Sequence, residues 1–461
     1  MSNDQNIEQL KALLTPNQVK TAVDDLEAYG KDWTKVHDPK PLAIVLPKSV
    51  EQVQAVVKFA NEQNLAVVPS GGRTGLSGGA VAAYGEIVVA MDLMNQVLDF
   101  NELDRSVHVQ AGVITEQLQQ FAEEKSLFYP VDFASAGSSQ IGGNVGTNAG
   151  GIKVIRYGMT RNWVTGLKVV TGKGDILDLN HGLIKNATGY DFRHLFIGSE
   201  GTLGIVVEAN IQLTRQPKDL SVLVLGVPDF AAVMKVLHAF QKDIDLTAFE
   251  FFSDIALGHV LAHGVAKPFD TEAPFYTLIE FEGVSDRTQD DVMKLFEYCM
   301  EQGWVLDGVI SQSSAQLENL WQLRERISES IAPYMPYKND ISVTISKVPE
   351  FVQKVDDIVQ KNYPDFEIVW FGHIGDGNMH LNILKPNEIS KEEFLDKCKN
   401  VSQWVYEAVK EYGGSISAEH GVGMIKKPFL NYTRTEVELD YMRAMKKVFD
   451  PKGVMNPGKL I

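Results

Sequence analysis

Hydrophobic positions along this chain switch repeatedly between two periods. Val53, Val56, Val57 and Ala60 recur at helical spacing and predict an amphipathic helix over Val50–Gln63. Short apolar runs at Ala43–Leu46 and Leu65–Pro69 flank it and read as strands of a βαβ-like unit. Strand-like runs at Glu86–Ala90 and Ser106–Gln110 follow, then alternating strand and turn signals from Val164 to Leu213. The composition changes after Arg215-Gln216-Pro217-Lys218. There a strand at Ser221–Val227 and a helix at Phe230–Phe240 open a second series of strands and helices. Residues 1–40 read as a polar helical lead-in ending near Pro39 and Pro41. Val437–Phe449 reads as a helix, and FDPKGVMNPGK closes the chain in turns. The expected class is α+β, divided as 1–40, 41–218, 219–420 and a C-terminal segment 421–461 that packs back on the first domain.

A chain of 461 residues exceeds one hydrophobic core, which fits that division. With 60 acidic and 43 basic side chains the net charge is −17, which argues against a nucleic-acid partner. Two cysteines, Cys299 and Cys398, argue against a disulfide framework or a cysteine-based metal site. The N-terminus carries no basic region followed by an apolar run, and no stretch of about 18 apolar residues occurs. The expected compartment is the cytoplasm, with no transmembrane segment.

Two segments are rich in glycine. Ser70-Gly71-Gly72-Arg73-Thr74-Gly75 follows a strand signal, and Ser138 to Gly151 contains Gly142, Gly143, Gly146 and Gly150. Glycine permits close backbone approach, and successive free N–H groups form anion-binding concavities. Either segment alone reads as an ordinary tight turn; the pair suits a pyrophosphate held from two sides. Neither GxGxxG nor GxxxxGK[ST] occurs, so a Rossmann site and a P-loop are both disfavoured.

Val369–Ile374 and Met379–Leu384 read as strands around the turn Gly375-Asp376-Gly377-Asn378. A four-residue loop would set Ile374 opposite Met379 and His373 opposite His380, with Cβ atoms roughly 4.5–5.5 Å apart. Two imidazoles so placed can share a metal, and Asn382 lies on the same face. Such a pair is, taken alone, more often two half-buried strand residues. Glu419, in Ser417-Ala418-Glu419-His420-Gly421, is the best third donor. His373, His380 and Glu419 would form a site with only N and O ligands, for which Zn²⁺ is the first expectation and Mn²⁺, Co²⁺ or Fe²⁺ the others. His420 is the candidate general base, because an imidazole titrates near working pH; a structural His is the bland alternative. A helix is expected over Glu318–Ile331, where Arg324 and Ser328 stand at i and i+4, with Lys338 after Pro333 and Pro336.

The motifs PSGGRTGL, SSQIGGNVGTNAGG, IRYGMTRNWVTGLKVV, NATGYDFRHLFIGSEGTLGI and FDPKGVMNPGK resemble the type-4 FAD-binding oxidoreductases. That family includes D-lactate dehydrogenases, glycolate-oxidising subunits and D-2-hydroxyglutarate dehydrogenases. The resemblance covers nearly all of the chain past residue 35. It implies a vanillyl-alcohol-oxidase (PCMH-type) FAD domain of two subdomains plus a substrate domain. It also implies that Ser70, Gly71, Gly72, Arg73, Thr74, Gly75, Ser135, Ser138, Gly142, Asn144, Thr147, Asn148 and Ile205 hold FAD. Arg73 stands where many relatives have Asn, which suggests a guanidinium near a phosphate. Members with covalent flavin carry a His in the first loop; none lies between His37 and His108, so FAD is expected to be non-covalent.

GHIGDGNMH and SAEHG resemble the metal motif of the hydroxy-acid dehydrogenases, which raises His373, His380 and Glu419 above the bland reading. Trp321, Leu323, Arg324, Glu325, Ile327 and Ser328, then Tyr337-Lys338-Asn339-Asp340, resemble the D-2-hydroxyglutarate subgroup, as does LTAFEFFSD at 246–254. By that likeness Arg324, Ser328 and Lys338 clamp a distal carboxylate, and Asn382 and His420 also meet substrate. The expected activity is oxidation of a dicarboxylic D-2-hydroxy acid, D-2-hydroxyglutarate or D-malate. The expected acceptor is an electron-transfer flavoprotein or a quinone, and a homodimer is compatible with the sequence. D-lactate or glycolate oxidation is the near alternative. A metal-dependent hydrolase and a non-catalytic electron-transfer flavoprotein subunit are alternatives from other classes.

Overall fold

The computed structural model describes residues 2–34, 37–283 and 285–461. Residues 1, 35 and 36 of the expected lead-in lie outside them. The chain forms two compact units. The first comprises residues 1–150, 158–216 and 419–461; the second comprises 151–157 and 217–418.

The first unit holds a small mixed sheet and a larger antiparallel one. β1 (Val19–Lys20), β2 (Ala43–Val45), β4 (Ile87–Ala90) and β3 (Val67–Ser70) lie side by side in that order. β2 and β3 both run parallel to β4. The helix Val50–Gln63 joins them, which realises the predicted βαβ unit. Ser49 caps it by accepting from the Gln52 amide, and Asn64 ends it in the left-handed conformation. Its stripe of Val53, Val56, Val57 and Ala60 is buried, as the periodicity requires. The expected helical lead-in is interrupted, because Val19–Lys20 joins the sheet as β1 between the helices Asn3–Leu13 and Val23–Tyr29.

The second sheet follows the order β5 (Val97–Asn101), β6 (Ser106–Gln110), β10 (Gly204–Gln212), β8 (Val164–Thr171), β9 (Ile176–Leu179). Its core gathers Val107, Val109, Val169, Ala209 and Ile211 around Tyr129 and Phe196. A two-residue pair, β7 (Leu127–Phe128) with β11 (Thr214–Arg215), forms a separate two-stranded sheet. The chain end returns to the first sheet: Met455 bridges Val67 of β3, and the Asn456 amide donates to the Val67 carbonyl.

The second unit is built on a seven-stranded antiparallel sheet. Its order is β15 (Asp307–Ile310), β12 (Leu220–Val227), β14 (Phe275–Glu282), β13 (Leu246–Ser253), β17 (Glu367–Gly372), β18 (Asn378–Leu384), β16 (Tyr337–Ser342). β13 is buried along its whole length because helices cover both faces. Val222, Val224, Ala248, Phe252 and Leu278 point to one face and pack against the helices Asp254–Leu261 and Ser314–Glu325. By strand alternation Glu250, Glu280 and Glu282 share that buried face. Lys153 pairs with Glu280, and Arg156 pairs with Glu282 at 2.7 Å, so the short segment 151–157 docks on this sheet. Among the described residues no helix is long and apolar enough to cross a membrane.

Candidate functional site

In the second unit the predicted histidine hairpin forms, but in another register. β17 and β18 pair Phe371 with His380 and Val369 with Asn382, two residues away from the expected pairing. The physical reason is the turn: Ile374–Asp376 makes a 3-10 turn ended by Gly377 at φ 82°, so the loop is longer than four residues. His373 therefore lies beyond the ladder at the head of that turn. The two imidazoles still meet, with ring centroids 5.3 Å apart and planes at 86°.

β13 pairs Phe251 with Gly372 and Phe252 with Phe371; continuing that register by one residue sets Glu250 across from His373. Glu250 Oε1 lies 2.8 Å from His373 Nδ1. His380 Nδ1 lies 3.8 Å from Asp340 Oδ1, its cross-strand neighbour on β16. Neither acid was singled out from the sequence. The available signal was an acidic residue inside an apolar strand, AFEFF, where an unpaired charge would be costly.

The helix expected over Glu318–Ile331 is two helices, Ser314–Glu325 and Ile327–Ile331, broken at Arg326. The break spoils the i, i+4 argument: Arg324 is buried and Ser328 is exposed. Trp321 and Arg324 share a face that meets the buried glutamates. Trp321 Nε1 donates to Glu280 at 3.0 Å, and Arg324 Nε lies 2.8 Å from Glu250 Oε2. The Arg324 Nε–H is not aimed at that oxygen, so proximity here is ionic and both atoms lack an aligned hydrogen bond. The guanidinium also stacks on Phe371, 4.7 Å from the ring centre.

Lys338 lies opposite Asn382 in the β16–β18 ladder. It is solvent-accessible, yet desolvation by its surroundings lowers its ammonium pKa from the ordinary lysine value. Asn382 is fully buried, with its amide donating to the Val369 and His380 carbonyls. Burial pushes the Cys299 thiol up to about 11 and Cys398 up to about 12, so neither offers a thiolate at neutral pH.

In the first unit the two glycine segments lie against each other. A Cβ on Gly72 would stand 2.1 Å from the Ser138 carbonyl oxygen, and one on Gly142 would stand 2.7 Å from the Ala111 Cβ. Ile141–Thr147 forms a short helix rather than the open cradle expected, ended by Asn148 at φ 52°. The Asn144 side chain turns inward and donates to Thr115 at 2.7 Å, and Ile205 sits in the apolar core. Thr147 Oγ1 donates to the Gly143 carbonyl, and Asn148 Oδ1 accepts from the Arg161 amide.

The guanidinium expected beside a phosphate is that of Arg73. Its head group is engaged by both Asp92 oxygens, at 3.0 and 3.2 Å, and stacks on Tyr29. What it brings to the loop is a left-handed backbone, at φ 60°. Beside Gly71, the buried Gln140 Oε1 has no hydrogen-bond partner. An orphaned buried acceptor beside close-packed glycine backbone fits a bound cofactor that brings hydroxyl or N–H donors.

The peptide after Ala418, whose amide donates to the Asp340 carbonyl, carries Glu419 and His420. Within the first unit Ser77 Oγ donates to the His420 carbonyl at 2.8 Å. Glu200 accepts from the Val422 and Gly423 amides, both at 2.7 Å. Desolvation by burial raises the Glu200 pKa. Gly423 is required here, since a Cβ would stand 2.0 Å from the Ser77 carbonyl at φ 52°. His420 is thus held by backbone anchors on either side, and its Nε2 lies 3.9 Å from Glu419 Oε1.

Comparison with known proteins adds to this geometry. A family model described as FAD binding domain matches residues 41–180, and one described as FAD linked oxidases, C-terminal domain, matches residues 216–460. The chain is 65% identical to D-2-hydroxyglutarate dehydrogenase of Stutzerimonas stutzeri (strain A1501), covering 100% of this chain and 99% of that one. It is 54% identical to the protein of the same name from Xanthomonas citri pv. viticola, over 99% of this chain and 97% of the relative. Among solved structures, substrate-bound p-cresol methylhydroxylase superposes with a TM-score of 0.75 at 16% identity, covering 99% of this chain and 96% of that one. That likeness bears out the PCMH-type fold expected from the motifs.

Proposed function

The chain belongs to the D-2-hydroxyglutarate dehydrogenases among the FAD-linked oxidases, and from that premise we propose that it oxidises D-2-hydroxyglutarate to 2-oxoglutarate. The observation that carries the choice of acid is the 65% identity, over the whole chain, to a D-2-hydroxyglutarate dehydrogenase; Arg324 and Lys338, in the same unit as His373 and His380, are the cations this reading sets at the far carboxylate. Lactate has no distal carboxylate for these cations to meet. D-malate, one methylene shorter, is the second substrate of this reading, since a single methylene discriminates only modestly.

FAD, when bound at the glycine segments, supplies a hydride acceptor at flavin N5. A divalent metal, Zn²⁺ in this reading, would be held by His373, His380 and Glu419 and would supply Lewis acidity toward the 2-hydroxyl and its carboxylate. His420 receives the hydroxyl proton as the C2–H bond gives up its electron pair. Arg324 and Lys338 bind the far carboxylate and so fix the orientation of C2 and its single hydrogen. Asn382 holds the strand backbone beside His380. Electrons then leave to an electron-transfer flavoprotein or a quinone, in the cytoplasm.

Metal analysis with a visible spectrum of the purified protein tests the cofactors. A flavin band at about 450 nm with near-stoichiometric zinc is expected; absent metal would sink the metal assignment.

A further inference from the structure

The proposed clamp and the proposed metal site share one carboxylate. We propose that Glu250 is a positioning residue that couples the His373 ring to the Arg324 guanidinium, so that metal binding and recognition of the distal carboxylate are linked. This rests on the function proposed above and adds a residue to it.

Glu250 is fully buried on β13, in a run of apolar neighbours. A lone carboxylate there would be strongly disfavoured, so its partners define why it is tolerated. Oε1 faces His373 Nδ1 at 2.8 Å and Oε2 faces Arg324 Nε at 2.8 Å. A carboxylate only accepts, so Nδ1 carries the proton and the ring offers its lone pair from Nε2. Carboxylate-backed histidines bind metals in this way, with the ring orientation fixed and its basicity raised. The link is set by the fold, because the β13–β17 register brings Glu250 opposite His373.

On the other side Glu250 engages Arg324 through Nε. The end-on fork of its two Nη groups is then the edge suited to a second carboxylate, bidentately. Phe371 stacks beneath the guanidinium and is the cross-strand neighbour of His380, with ring centroids 5.1 Å apart. Glu250 thus holds the guanidinium in place by charge, and Phe371 lies against its face. Shifting the carboxylate toward one partner loosens its hold on the other. A coupling of this kind is reciprocal: whatever orders His373 also orders Arg324.

The test is Glu250→Gln in the flavin-loaded protein. Gln cannot accept from both partners with charge, so two readouts should move together. Calorimetric Zn²⁺ affinity of the chelator-treated protein is expected to fall about 10–100-fold. The ratio of kcat/KM for D-2-hydroxyglutarate over D-lactate is expected to fall about tenfold or more. A folded, flavin-binding Glu250→Gln protein that keeps both at wild-type values, or loses only one, overturns the proposal. If that variant does not fold, Glu250→Asp, which keeps the charge but draws it back by one methylene, is read in the same way. Wild-type protein that binds no Zn²⁺ or prefers lactate would instead refute the function on which the proposal rests.

Discussion

At the scale of single residues, the site is a set of charges placed where charge is expensive. Lys338 shows how this becomes measurable. Desolvation lowers its pKa from the ordinary 10.5, so it loses its proton at a lower pH than an exposed lysine does. In the proposed clamp only the ammonium form of Lys338 attracts the far carboxylate. KM for D-2-hydroxyglutarate should therefore rise as pH climbs toward 10.5, while KM for D-lactate stays flatter. Lys338→Arg should abolish the rise, because a guanidinium keeps its charge throughout. A wild-type profile that rises equally for both acids would remove Lys338 from the clamp. His420→Asn should lower kcat by about 10²–10⁴-fold with flavin content unchanged; unaltered turnover would assign the proton to another group. The histidines and cations stood out in the sequence because polar residues in motif context are few. Glu250 and Asp340 did not, since their meaning lies in partners 123 residues away or across a strand pair.

At the scale of elements, local pattern predicted strands and helices well and junctions poorly. The helix Val50–Gln63 matched its periodicity, because a full apolar stripe and a serine cap agree. The hairpin slipped by two residues because turn length is set by backbone conformation at Gly377, which the hydrophobic pattern does not encode. The break at Arg326 comes just after Trp321 and Arg324, which reach one pair of glutamates that the local sequence does not reveal.

Two element-level tests follow. Gly72→Ala forces a Cβ into the Ser138 carbonyl, so it should cost about 1–3 kcal/mol and release flavin, read from the 450 nm band of purified protein. Retained flavin with an unchanged melting temperature would contradict the close contact. Asp356 holds Trp370 Nε1 at 2.7 Å, and burial pushes its carboxyl up to about 6. The folded state thus holds that proton more tightly than the unfolded chain, whose carboxyl titrates near the ordinary 3.8. Stability contributed by this group is present below about pH 4 and is lost as pH rises through about 6. Asp356→Asn keeps an acceptor for Trp370 and should raise Tm at pH 8 but not at pH 4. Equal shifts at both would refute the titration.

At the scale of the whole molecule, the α+β class and the cofactor family were legible because long motifs carry them. The membership of residues 151–157 was not. Nothing in GIKVIRY signals that Lys153 and Arg156 answer glutamates more than 120 residues away on β14. Charge pairing across such a separation leaves no periodicity in the chain. The same is true of Glu200, which anchors the backbone after His420 from 222 residues upstream.

The central claim is that this flavoprotein oxidises a dicarboxylic D-2-hydroxy acid. Anaerobic mixing of the purified protein with D-2-hydroxyglutarate, D-malate, D-lactate or glycolate, followed at the flavin band, tests it most directly. The account predicts fastest bleaching with D-2-hydroxyglutarate, slower bleaching with D-malate and little with the two monocarboxylates. Faster bleaching by D-lactate or glycolate, or no flavin band to bleach, would contradict it.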